Sequence, residues 1–86
     1  MSQQTADDQG LVLYCTNWCG YCRRLRTALD DAGIAYTYID IEHDADAAAF
    51  VESVNGGNQM VPTVRYADGT TATNPTISEV RAALGR

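Results

Sequence analysis

The chain contains no lysine. Its basic residues are six arginines set against eleven acidic side chains, which leaves a formal charge of −5. A surface so poor in cations excludes general binding to nucleic acid or to anionic membranes, both of which need a basic face. Long apolar runs are also missing: no stretch approaches the roughly 18 consecutive apolar residues of a membrane-spanning helix. Apolar residues nevertheless make up 45% of the chain, an ordinary share for a globular domain. Met1 to Gly10 is polar and acidic, without the basic start or apolar stretch of a secretory leader. It reads as a short mobile tail ahead of one domain over residues 11–86, and the expected location is cytoplasmic. Cysteine is scarce, with Cys15, Cys19 and Cys22 only. Three cysteines without a leader do not make a disulfide scaffold, because a reducing cytosol would not preserve the bonds. Catalytic or metal-ligating use fits better. At 86 residues there is room for one modest core and no second lobe, so a large substrate has to be met on the surface. The absence of lysine beside twelve alanines is the composition of a GC-rich genome.

What is present centres on Trp18-Cys19-Gly20-Tyr21-Cys22. Ahead of it, Leu11-Val12-Leu13-Tyr14-Cys15 is a continuous apolar run of the length of a fully buried strand, and Thr16-Asn17 breaks it. After it, Leu25, Ala28, Leu29 and Ala32 recur at helical spacing while Arg23, Arg24, Arg26, Asp30 and Asp31 take the other face, and Gly33 supplies a left-handed stop. Cys19 therefore falls at the start of a helix, where backbone N–H groups lack intrahelical partners and the macrodipole is positive, a place that favours a thiolate. Cys22 lies about one turn further on, within reach of a bond to Cys19 after modest backbone adjustment. The expected order is an exposed nucleophile, Cys19, and a partly covered resolving partner, Cys22. The plainer reading is two small buried hydrophobes. Strand, turn, C-x-x-C and helix in this order are what a thioredoxin-like redox motif requires.

The remaining chain reads as support. Ile34 to Ile39 is predicted as a second strand in a right-handed parallel crossover with the first. Asp44 is placed to cap a second helix with the stripe Ala47, Phe50, Val51 and Val54. His43, in a solvated acidic run, is an ordinary surface histidine. Pro62 marks a strand start or a special turn ahead of Thr63-Val64-Arg65-Tyr66. Only about 5–6% of such bonds are cis in folded proteins, so the residues alone favour trans. Asp68-Gly69 predicts a hairpin into an edge strand, Thr70 to Thr73. Asn74-Pro75 then opens a last helix with a capping box, Thr76 and Glu79, and apolar positions Ile77, Val80, Ala83 and Leu84. The fold class is α/β, in the order βαβαββα.

The cysteine pair at the first helix, Val61-Pro62-Thr63 before the third strand and this element order resemble the glutaredoxin branch of the thioredoxin fold from about Leu11 onward. Ser53-Val54-Asn55-Gly56-Gly57-Asn58, Ala67-Asp68-Gly69 and Thr73-Asn74-Pro75 narrow the likeness to the mycoredoxins, mycothiol-dependent glutaredoxin-like oxidoreductases of actinobacteria. The resemblance implies a thioredoxin fold, a four-stranded mixed sheet flanked by three helices. It also implies a cis Val61-Pro62 bond facing the cysteines, with the backbone of Val61 pairing with the bound thiol compound as an added strand would. No bound cofactor is implied. The resemblance further implies mycothiol as co-substrate, mycothiolated or disulfide-containing proteins as clients, a mycothiol disulfide reductase with NADPH upstream, and a monomeric protein.

Two departures from ordinary glutaredoxins bear on the substrate. Thr16 stands where they carry lysine, and Thr73-Asn74 replaces their Gly-Gly pair. Glutathione presents two carboxylates, which reward cations and helix-start N–H groups, whereas mycothiol presents the hydroxyls of a sugar and a cyclitol. Thr16, Asn74 and Thr76 suit a polyol, and the alternatives are simple turn or cap chemistry, or a cation supplied by Arg23 or Arg65. Trp18 and Tyr21 shape the rim or pack beside the helix start. Cys15 completes a C-x3-C-x2-C spacing shared with radical iron–sulfur enzymes, but the chain is too short for their barrel. It reads as a packed strand-end residue, with a regulatory bond to another cysteine as the other option. Rival functions are a thioredoxin-like donor recharged by a flavin reductase, a glutathione-dependent donor, and an iron–sulfur or zinc module, which would need a dimer to complete four ligands.

Overall fold

The computed structural model describes residues 10–85; the expected tail lies outside the described residues except for Gly10, which packs against Ala67 at φ 72 with no space for a Cβ. The sequence's continuous apolar run becomes the central strand β1, Val12–Cys15. It pairs in parallel with β2, Thr37–Asp40, on one side, and antiparallel with β3, Thr63–Arg65, on the other. An antiparallel β4, Thr71–Thr73, closes the order β2-β1-β3-β4. Helices α1, Gly20–Asp31, α2, Ala45–Val54, and α3, Ile77–Leu84, cover the sheet. The thioredoxin-fold expectation, a mixed four-stranded sheet with three helices, describes this architecture. No described helix is long and apolar enough to cross a membrane.

Both faces of β1 are buried, which is why its sequence does not alternate. Leu11, Leu13 and Cys15 point into one cluster with Cys22, Leu25 and Leu29 of α1 and Val80 of α3. Tyr14 points the other way, into a smaller cluster with Ile41, Ala47 and Val51 under α2. The two layers place the start of α1 at the end of β1, above the neighbouring strand β3.

Local signals act as the residue chemistry predicts in most places. The Asp44 carboxylate accepts the Ala47 N–H at 3.0 Å, and Thr76 and Glu79 form a reciprocal capping box. His43 is exposed and its ring sits 2.9 Å from the Asp40 carboxylate; the Glu42 N–H, and then His43, hold Asp40 below the usual carboxylate range. Two boundaries move. The second strand starts at Thr37 rather than Ile34, because the Ile34 N–H still bonds the Leu29 carbonyl at 2.9 Å in closing off α1. Val54, expected in the apolar stripe of α2, is exposed.

The loop from α2 to β3 carries Val61 and Pro62, joined by a cis bond, as the family resemblance implied and the residues alone did not. A small polar network holds it. Asn55 at the end of α2 donates to Thr63 Oγ1 at 3.2 Å and accepts from Thr73 Oγ1 at 2.6 Å, and Thr63 donates to the Met60 carbonyl at 2.7 Å. Thr63 is fully buried, so its hydroxyl needs these partners. Replacing Asn55 with alanine removes bonds to both β3 and β4 and is expected to cost about 1–3 kcal/mol. Urea melts should show the loss as a lower midpoint at unchanged slope, and an unaltered midpoint would mean that the network contributes nothing.

Candidate active site

Cys19 is the N-cap of α1, with extended backbone at φ −82 and ψ 118. Its sulfur takes the place that a Ser or Asp oxygen usually fills at a helix start, accepting the Cys22 N–H at 3.4 Å. The Val61 carbonyl, on the residue before the cis proline, lies 3.9 Å from the same sulfur. One sulfur is thus placed between an electropositive helix mouth and the exposed loop between α2 and β3. All three cysteines are free thiols.

Exposure differs from the expectation. Cys19 was expected at an open mouth, yet it retains only 7% of its surface, against 1% for Cys22 and none for Cys15. The physical reason is the turn: the Cys19 N–H bonds the Thr16 carbonyl at 3.4 Å, tucking the sulfur in against Val61. What surface remains belongs to Cys19 rather than Cys22, because Cys22 starts the buried stripe of α1.

The turn before Cys19 is held from three sides. Tyr38 of β2 donates to the Asn17 side chain at 3.0 Å, Arg23 of α1 donates to the Asn17 carbonyl at 3.3 Å, and Trp18 donates to Glu42 at 2.7 Å. Trp18 and Tyr21 are both rim residues, 67% and 59% exposed. Thr16 is different, since it is buried and its hydroxyl has no protein partner and no contact with solvent.

Tyr21, Asn74 and Thr76 come together on one cleft of about 330 Å³ between α1 and the start of α3, with Leu25 and Ile77 as apolar lining. Asn74 has the left-handed φ of 49 that asparagine tolerates, and its N–H bonds the Pro62 carbonyl at 2.7 Å. The cleft is therefore tied to the cis-proline loop. Its cation is Arg24, which stacks 5.7 Å from the Tyr21 ring centroid. Neither cation named from sequence takes this role: Arg23 is committed to Asn17, and Arg65 lies over Phe50 on the α2 side at 5.2 Å. The signal for Arg24 was its i+3 relation to Tyr21, which puts both on one helix face.

The electrostatics centre on Cys22. The neighbouring Cys15 thiol, offset by burial and helped by the Thr16 backbone, lowers Cys22 from the ordinary thiol range to about 6. The same pairing, with burial behind it, pushes Cys15 up. A sulfur at a helix start, a second thiol of low pKa one turn on, and an exposed rim with a polar cleft are the parts that thiol–disulfide exchange uses. Among the described residues, no three His, Cys, Asp or Glu side chains gather as a metal ion would require.

Comparison with known proteins agrees with this chemistry. The Glutaredoxin family model matches residues 11–70. Over 74 residues the chain is 61% identical to a Mycobacterium tuberculosis protein named as a glutaredoxin, covering 86% of this chain and 88% of that one. Over the same length it is 51% identical to mycoredoxin 1 of Corynebacterium glutamicum, covering 86% and 91%. Among solved structures, the glutaredoxin of Methanosarcina mazei has the same fold, with a TM-score of 0.75 at 20% identity over 91% of this chain and 81% of that one. The chain belongs to the glutaredoxin family and is a thiol–disulfide oxidoreductase of the glutaredoxin type.

Proposed function

We propose that this oxidoreductase reduces mixed disulfides between proteins and mycothiol, with Cys19 as nucleophile and Cys22 as resolving cysteine. The observation that carries the assignment of roles is the Cys19 sulfur capping α1 beside the Val61 carbonyl. Mycothiol as the thiol is supported by the likeness to mycoredoxin 1 and by Asn74 and Thr76, whose neutral polar groups line the cleft and suit hydroxyls.

In the first step the Cys19 thiolate attacks the mycothiol sulfur. The bond to the protein client breaks, its electron pair leaves on the client sulfur, and Cys19 carries mycothiol. A second mycothiol thiolate attacks the mycothiol sulfur of this adduct, the bond to Cys19 breaks with its electron pair leaving on Cys19, and the mycothiol disulfide so formed is recycled by an upstream NADPH-dependent reductase. Val61 presents main-chain groups to the bound thiol compound, Pro62 sets their direction, and Tyr21 and Trp18 form the rim against which the client lies. Cys22 competes by displacing the adduct to close a Cys19–Cys22 disulfide, a route needed for protein disulfides and dispensable for mixed ones. The protein works as a monomer in the cytoplasm, with residues 11–86 as the functional unit. Arg24 in the cleft favours a second reading, in which a carboxylate of glutathione takes the place of the polyol.

Reduced Cys22→Ser protein should release a peptide from its mycothiol mixed disulfide quickly, leaving a mycothiol adduct on Cys19 by intact mass, and should react slowly with the glutathione version. Faster release from the glutathione version would establish the second reading, and equal rates would mean a general glutaredoxin without preference for mycothiol. The roles of the two cysteines are checked by Cys19→Ser, which is expected to abolish peptide release; if it stayed active while Cys22→Ser lost activity, the order would be reversed.

Closure of the internal disulfide should follow the Cys22 thiolate. Because the pKa is lowered to about 6, the thiolate dominates at pH 7 and is lost as the pH falls through that value. Stopped-flow rates of closure from the Cys19 adduct should therefore be nearly flat above pH 7 and fall about tenfold for each pH unit well below 6. A profile still rising between pH 7 and 9 would contradict the low pKa.

A further inference from the structure

Arginines of this chain lie over several of its aromatic rings. Arg24 sits 5.7 Å from the Tyr21 ring centroid, Arg26 4.3 Å from that of Tyr38, and Arg65 5.2 Å from that of Phe50. Trp18 stands apart. It keeps 67% of its surface, more than any other large apolar side chain among the described residues, and none of the described arginines lies over its ring. Its indole N–H donates to the Glu42 carboxylate at 2.7 Å, which fixes the ring beside Cys19 and sets a negative charge at its edge. The one ion pair among the described residues is His43 with Asp40, so the Glu42 carboxylate has no cationic partner there. Residues 40–46 hold four acidic side chains and no arginine or lysine. Asp40 is engaged by the Glu42 N–H and by His43, and Asp44 caps α2, which leaves Glu42 as the acid joined to the rim. Arg23, the arginine that reaches this turn, donates to the Asn17 carbonyl.

We propose that Trp18 and Glu42 form a docking corner for an arginine of the client protein, carried close in sequence to the cysteine whose disulfide is reduced. The inference rests on the reading above, in which the client meets Cys19 across this rim. A guanidinium is planar, weakly hydrated and forked, so it can stack on the indole face and turn N–H groups toward a carboxylate at the ring's edge. An apolar side chain in the same place would cover the ring but strip water from Glu42 without replacing it, and an acidic one would meet a like charge. The formal charge of −5 draws basic segments from a distance, and the corner decides where they sit. Trp18 and Glu42 determine specificity in this way, and neither takes part in the exchange of sulfurs.

The test uses three peptides that differ only in carrying arginine, alanine or glutamate two residues before a cysteine activated as its thionitrobenzoate disulfide. The Cys19 thiolate of reduced Cys22→Ser protein attacks the peptide sulfur, and thionitrobenzoate, the more acidic thiol, leaves with the electron pair. Its absorbance gives the rate with no mycothiol present. At low salt and subsaturating peptide, the arginine peptide should react about three- to tenfold faster than the alanine peptide, the glutamate peptide should be slowest, and salt should shrink the contrast. Glu42→Gln keeps an acceptor for the Trp18 indole without the charge, and should cut the arginine preference about two- to fivefold; Trp18→Leu should cut it similarly. Asp31→Asn removes one charge at the far end of α1 and should leave the preference as it was. The inference is overturned if the three peptides react alike, or if Asp31→Asn lowers the preference as much as Glu42→Gln does, which would make it an effect of net charge alone. Equal rates beside fast release of mycothiolated peptide overturn the docking corner alone, and a retained arginine preference beside failed release overturns the mycothiol reading alone.

Discussion

The structure depends on one helix start whose cap is a sulfur. An α-helix leaves its first N–H groups without partners, and a hydroxyl or carboxylate oxygen usually accepts one of them. Here the Cys19 sulfur accepts the Cys22 N–H. The same contact that begins α1 therefore also holds the Cys19 sulfur in place. The cap and the nucleophile are one atom, and whatever orients the helix orients the chemistry.

The rest of the fold fixes that atom's neighbours. Burial of β1 on both faces sets where the strand ends, and the short turn after it, tied to Tyr38, Arg23 and Glu42, sets where α1 begins. Antiparallel pairing of β1 with β3 brings the cis-proline loop alongside. The Asn55 network and the Asn74 N–H then hold the loop against β4 and the start of α3. A cleft beside the cysteines follows from these constraints, since α1 and α3 pack on the same face of the sheet and Asn74 stands between the loop and the last helix.

Much of this was legible in the residues. The apolar run before Thr16, the helical recurrence of Leu25 and Leu29, the Asp44 cap and the Thr76–Glu79 box are local patterns, and the structure follows them. Where reading failed, a distant contact decided the matter. Val54 fits its helical stripe but is exposed. Arg23 and Arg65 read as the candidate cations, but hydrogen bonding and stacking commit them elsewhere, and Arg24 lines the cleft instead.

The sequence by itself determined the element order, the helix caps and the placement of Cys19 and Cys22 at one helix start, because each depends on residues within a turn or two of one another. Only the tertiary structure decided what surrounds the sulfurs. The Val61 carbonyl reaches Cys19 across 42 positions of chain, the cleft joins α1 to residues beyond β4, and Cys15 meets Cys22 because a central strand and the helix after it pack face to face. Spacing cannot encode such meetings, since they arise from burying two apolar faces against each other, and that depends on the whole chain at once.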